Sequence, residues 1–148
     1  MLTVAQLAAW IAALPLLADG HGHPIPRPDW VAPLVAEVVL TEAHPYDDPY
    51  ELAATLDVVA AHESAYHPGA IGDRGRSCGL GQTPCRRTPR DPRGQLALAL
   101  QLLANDCPDP LWLYASGRCA TSYAARAMRA AVVARLALAP APVALAAP

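Results

Sequence analysis

The strongest constraint on this chain is the way proline-bearing segments cut it into apolar runs of helical period. Leu7, Trp10, Ile11 and Leu14 recur at helical spacing within residues 2–17, and Trp30, Leu34, Val38 and Thr41 do so farther on. Leu52, Leu56 and Val59 mark a third run, and Leu96, Leu100 and Leu103 a fourth. Between them stand Pro24, Pro26 and Pro28, then Pro45 and Pro49, then a Gly-, Pro- and Arg-rich segment over 67–92, then Pro108 and Pro110. Proline has no amide donor to continue a helix interior, so the chain is expected to fold as separate helices joined by irregular turns. Composition agrees. The chain is 53% apolar yet contains no Phe, and alanine supplies much of that fraction. Small side chains suit close-packed helices, whereas strands favour β-branched and aromatic residues. The expected fold class is mostly α, and 148 residues are enough to bury a core.

Helix boundaries follow from the caps. Asp29 precedes the run 30–40 as an N-cap, with Pro33 tolerable in the first turn. Asp47 or Asp48 can cap a helix over 50–64, Asp91 opens one that ends near 106, and Thr121 or Ser122 precedes a last one ending near 138. Residues 111–119 show no period and are expected to form a loop around Tyr114. The expected organisation is helical segments with a connecting loop over 1–45, a main domain over 46–139 and a Pro/Ala-rich tail over 140–148. Residues 2–17 have the length of a signal-peptide apolar core, so a cryptic signal over 1–19 is the alternative to a first helix. They are too short to span a membrane.

The formal net charge of −2 argues against a nucleic-acid partner, and every basic residue is Arg. His21-Gly-His23 lies on a flexible, proline-rich connection, so a solvated loop rather than a metal site is expected there. Cys78, Cys85, Cys107 and Cys119 allow three pairings. The local pairs, Cys78 with Cys85 and Cys107 with Cys119, are the expectation; free thiols and a structural zinc are the rivals, and the spacing lacks the short Cys-x-x-Cys of zinc sites. Disulfides would imply an oxidising, extracytoplasmic location.

The residues with chemistry in them concentrate between 62 and 82. At about 100° per residue, Glu63 falls within about 60° of Leu52, Leu56 and Val59. A carboxylate on an apolar stripe is partly desolvated, which favours the protonated form that a general acid requires. His62, Glu63 and His67 do not make a zincin motif, because the histidines are five residues apart rather than four and Pro68 ends the helix.

Three pieces in order, Glu63-Ser64, Gly72-Asp73-Arg74-Gly75 and Gly79-Leu80-Gly81-Gln82, resemble the lysozyme-like domain of soluble lytic transglycosylases and goose-type lysozymes. Tyr114-Ala115-Ser116-Gly117 resembles the Tyr-Asn-x-Gly motif of the same enzymes. The resemblance covers roughly residues 50–122. It implies a lysozyme-like helical domain with an irregular Gly-rich loop or small β element after the catalytic helix. It implies cleavage of the β-1,4 bond between N-acetylmuramic acid and N-acetylglucosamine in peptidoglycan strands, by a monomer without cofactor. Glu63 would protonate the glycosidic oxygen, Ser64 would hydrogen-bond beside the scissile bond, Gln82 would line the cleft, and the Tyr114 hydroxyl would contact Glu63. Asp73 matches an Asp of the goose-type pattern and is the candidate for activating water in an inverting hydrolase, which needs a second carboxylate. Two positions depart from the pattern. Ala115 replaces the motif Asn, and Pro84 stands where a second Asp follows the motif Gln. The missing Asp favours lytic transglycosylation, in which one Glu acts as acid and then base while the muramoyl 6-hydroxyl closes a 1,6-anhydro ring. The alternatives are hydrolysis assisted by Asp73 and a non-catalytic glycan-binding or structural helical protein.

Overall fold

The computed structural model describes residues 1–140; the expected tail over 140–148 lies, but for Pro140, outside the described residues. Six helices and one small antiparallel sheet are present among them. The helices are α1 (Val4–Ala13), α2 (Val31–Glu42), α3 (Pro49–Ser64), α4 (Pro92–Leu103), α5 (Pro110–Ser116) and α6 (Tyr123–Leu136). Between α3 and α4 come β1 (Ile71–Gly72), β2 (Ser77–Cys78) and β3 (Thr83–Pro84), paired in sequence order with Ile71 opposite Cys78 and Cys78 opposite Thr83.

The helix starts share a chemical device. Asp48, Asp91 and Asp109 each precede a proline, and each side chain accepts a backbone N–H of the first turn: Tyr50, Gly94 and Leu111 respectively. The aspartate satisfies an otherwise orphaned donor, and the proline has no donor to lose; such a cap stabilises by about 1 kcal/mol. Thr3 and Gln6 close a capping box on α1, and Ser122 caps α6. Asp29 does not cap α2 as expected. The helix begins two residues later, behind Trp30, after a turn closed by Val31 N–H on the Pro28 carbonyl. Residues 110–116 are helical rather than a loop, because Asp109 caps the start and Gly117, at φ 72°, closes the end in the left-handed region.

A single apolar cluster runs from Leu7 and Ile11 of α1 through Val35 and Val38 of α2 to Leu96, Leu111, Met128 and Val132 of the later helices. The segment 1–45 and the segment 46–139 thus share one core. At its centre is α3, buried at every residue from Ala53 to Ala61. Alanines at 53, 54, 60 and 61 let neighbours approach on all sides, so the single apolar stripe expected from the helical phase is absent. Burial all round also encloses Asp57, which has no exposed surface. Its carboxylate takes two 2.8 Å hydrogen bonds from the Arg27 guanidinium and a third from the Tyr66 hydroxyl. Arg135 of α6 stands 3.5 Å away and donates to the Pro15 carbonyl at 2.8 Å. This cluster ties the connection after α1, the middle of α3 and the end of α6 to one point.

Both disulfides form with the local pairing, Cys78–Cys85 with Cα atoms 4.8 Å apart and Cys107–Cys119 with Cα atoms 5.3 Å apart. Loops this short are worth roughly 2.5–3 kcal/mol each in the chain-entropy account. They are consistent with an oxidising environment. No helix among the described residues is long and apolar enough to cross a membrane.

Candidate functional site

The C-terminal end of α3 leaves the core beside a surface cleft of about 580 Å³. His62, Glu63 and Ser64 line it on one side. The segment from Leu17 to Pro26 forms a second wall, and Tyr123 and Ala127 of α6 a third. The helix stops at this rim because Ala65 and Tyr66 both turn into the left-handed region, at φ 48° and 62°. Non-glycine residues adopt that conformation only when held there. Here the Ala65 and Tyr66 amides donate to the Ala61 and Ala60 carbonyls, and the buried Tyr66 ring is anchored through its hydroxyl to Asp57. The buried charge cluster therefore sets where Glu63 emerges.

The Glu63 side chain is 22% exposed, and its Oε1 lies 3.3 Å from Nδ1 of His62. That contact raises the His62 pKa above the ordinary imidazole value, with desolvation opposing and the charge of Glu63 adding to it. Ser64 is buried beneath Glu63 and donates its hydroxyl to the Ala60 carbonyl at 2.9 Å, so it offers the cleft an acceptor rather than a donor. Tyr114, on α5, directs its hydroxyl to the Gly81 carbonyl at 2.5 Å instead of to Glu63. Burial first, and then the nearby charge of Glu63, push the Tyr114 pKa well above the usual phenol range, so it remains a donor. A methyl group at Gly81 would land on that hydroxyl, which accounts for a glycine in the Gly-Leu-x-Gln segment.

Gln82 is committed in the same way. Its Nε2 donates to the Gly79 carbonyl at 3.1 Å, and its Oε1 fills the space a side chain at Gly72 would occupy. The two glycine motifs thus lock against each other across the sheet. Asp73 sits in the exposed turn after β1, at φ 49°, and accepts the Ser77 hydroxyl at 2.5 Å. It fastens the turn and is not among the residues lining the Glu63 cleft. The second carboxylate of the cleft is Asp19, which accepts the backbone amides of His21 and His23 at 2.8 and 2.9 Å. Those amides, led by that of His23, hold its pKa below the usual carboxylate range.

Sequence reasoning missed three contributors. Residues 18–29 read as a connection, yet the loop folds back through an Ala18–Pro24 bridge to wall the cleft. Tyr123 is 82% exposed at the opposite rim, a large apolar ring in water that no local pattern marks. Gln95 is buried in α4, accepting the Leu80 amide and donating to the Pro68 and Pro89 carbonyls, and so fixes the Gly-rich segment to the core. An aspartate followed by paired turn residues was the one available signal for the first of these. No cluster of three or more metal-ligating side chains occurs among the described residues. Comparison with protein-family models, curated proteins and solved structures found no match to this chain.

Proposed function

We propose that the protein is a lysozyme-like muralytic glycosidase that cleaves peptidoglycan strands by lytic transglycosylation, with Glu63 as acid and then base. The observation that carries the reading is a partly desolvated glutamate at the end of a buried helix, opening on a cleft of about 580 Å³. Of the motif residues Glu63 and Ser64 line the cleft, while Tyr114, held on Gly81, lies outside its lining but feels the charge of Glu63, and Gln82 is held on the loop of Gly79. Glu63 would give its proton to the leaving O4 as the C1–O4 bond breaks. The carboxylate would then take the proton of the muramoyl 6-hydroxyl as its oxygen bonds to C1. The two disulfides agree with an extracytoplasmic site of action.

A second reading, inverting hydrolysis, has one specific support. Asp19, rather than Asp73, shares the cleft with Glu63 and is held ionised, as a base that takes a proton from water must be. Digestion of purified peptidoglycan followed by mass spectrometry of the soluble fragments decides between the two. Anhydromuramoyl ends are expected; reducing ends that disappear in Asp19→Asn would instead establish the hydrolase. Absence of any soluble fragment from the unmodified protein would end the enzymatic reading.

A further inference from the structure

Charge in this molecule is divided unevenly. Residues 74–90 carry Arg74, Arg76, Arg86, Arg87 and Arg90 and no carboxylate, although the whole chain has a net charge of −2. The remainder of the chain is therefore at −7, and this one segment, which holds β2, β3 and the turns around them between Asp73 and Asp91, is at +5. All five side chains are exposed, and none is in an ion pair among the described residues. Arg93, just beyond, differs: it is neutralised by Glu37 and Glu42. Like charges gathered without counterions repel one another, so such a group stabilises nothing within the fold by itself.

The backbone of the segment is also cross-linked. The Cys85 amide donates to the Arg76 carbonyl at 2.9 Å, the Arg87 amide to the Pro84 carbonyl at 2.8 Å, and the Cys78–Cys85 disulfide closes the pair. Arg76 and Arg86 both line a surface cavity of about 480 Å³ whose floor includes Cys85 and Pro84. Arg76 is steered by its Nε on the Asp73 carbonyl at 3.3 Å. Guanidinium groups at the mouth of a cavity match carboxylates in a bidentate manner, and fixing one beforehand, as the Asp73 carbonyl does for Arg76, lowers the entropic cost of binding.

We propose that this arginine face binds the carboxylates of the peptide stems that branch from the glycan strand. The inference rests on the glycosidase reading for its choice of anion. The sheet begins eight residues after Glu63, at Ile71, and the Gly81 carbonyl in its second turn holds the Tyr114 hydroxyl, which feels the charge of Glu63, so a strand bound at Glu63 would reach the sheet with its side branches. The arginines would then set the register of the strand and select peptide-bearing glycan over bare glycan.

The test is co-sedimentation of the Glu63→Gln protein with insoluble peptidoglycan, native or with its carboxylates amidated. The same measurement is repeated with Arg76, Arg86 and Arg87 all changed to Gln in that background. The expected result is affinity about tenfold lower for amidated wall and for the triple variant, and a steep loss on raising salt from 0.05 to about 0.2 M. An unaltered melting temperature of the triple variant shows that the fold is intact. Equal binding to native and amidated wall overturns the proposal, as does preference for duplex DNA over native wall. Turnover of peptide-free glycan strands by the unmodified protein reports the glycosidase reading separately. If that turnover is absent while arginine-dependent binding to native wall persists, the carboxylate site stands and the enzymatic reading falls.

Discussion

Of the three carboxylates on helix α3, Asp57 and Glu63 stand six residues apart, and their surroundings have little in common. Asp57 has no exposed surface and spends both oxygens on Arg27 and Tyr66, with Arg135 beside them. Glu63 is 22% exposed, opens on a cleft, and has one partner, His62, at 3.3 Å. A carboxylate enclosed by the protein, with both oxygens held by buried donors, is out of a substrate's reach. One with a single, half-exposed partner at a cleft rim is within it. The difference is one of position along the helix: the middle of α3 is enclosed by its neighbours, and the end is where the chain turns away.

Substitution at each site should break the comparison in opposite ways. Glu63→Gln is expected to lower the rate of peptidoglycan solubilisation by roughly 10³-fold, the scale of a lost general acid. Stability in urea should change by about 0.5 kcal/mol or less, as for a surface replacement. A variant that keeps more than a tenth of the rate would remove Glu63 from the mechanism. Asp57→Asn should do the reverse in kind. It leaves two buried guanidinium groups facing a neutral amide, and breaking a buried pair from one side costs about 3–5 kcal/mol. Chemical unfolding measures this directly, and a loss under about 1 kcal/mol would show that the Asp57 cluster does not anchor the fold.

The Tyr114–Gly81 contact sharpens the comparison from a third side. Gly81→Ala drives a methyl group into the Tyr114 hydroxyl and should cost about 2 kcal/mol. Tyr114→Phe removes the obstructing oxygen along with its hydrogen bond. The double variant should therefore lose less stability than the sum of the two single losses, by about 1 kcal/mol. Strict additivity in a thermodynamic cycle would mean that the two groups do not meet.

Much of the architecture was legible because its determinants are local. Asp48-Pro49 and Asp91-Pro92 announce helix starts, Ser122 another, and the close spacing of each cysteine pair pointed to the pairing that forms. The end of α3 at Ser64 was also readable, and with it the position of Glu63 on a helix rim. What escaped depends on distance along the chain. Arg27 and Asp57 are 30 residues apart, and Gln95 reaches back 27 residues to Pro68; nothing in a local window pairs them. Helix α5 is seven residues long, too short to display a period, and its cap was the only local evidence. The stripe argument for Glu63 failed for a related reason. Alanine counts as apolar on any face, and a helix made of it can be buried all round, so phase alone says little about which side meets solvent.

The mildest way to probe the contrast is pH. His62 gains Glu63 as a partner on folding, so its folded pKa lies above the unfolded value near 6.5. A raised folded value means the pair stabilises fully below about pH 6.5 and loses that contribution as pH rises through the folded value. His62 is 41% exposed on its side chain, so solvent screening limits the contribution to under about 1 kcal/mol. Urea unfolding of the native protein and of His62→Asn should therefore differ at pH 6 and converge at alkaline pH, with added salt shrinking the difference. Asp57 supplies the contrast, since arginine partners stay charged across that range and its cluster should show no such alkaline loss. A His62 contribution that grew with pH would reverse the sign and mean that the imidazole is neutral when it meets Glu63.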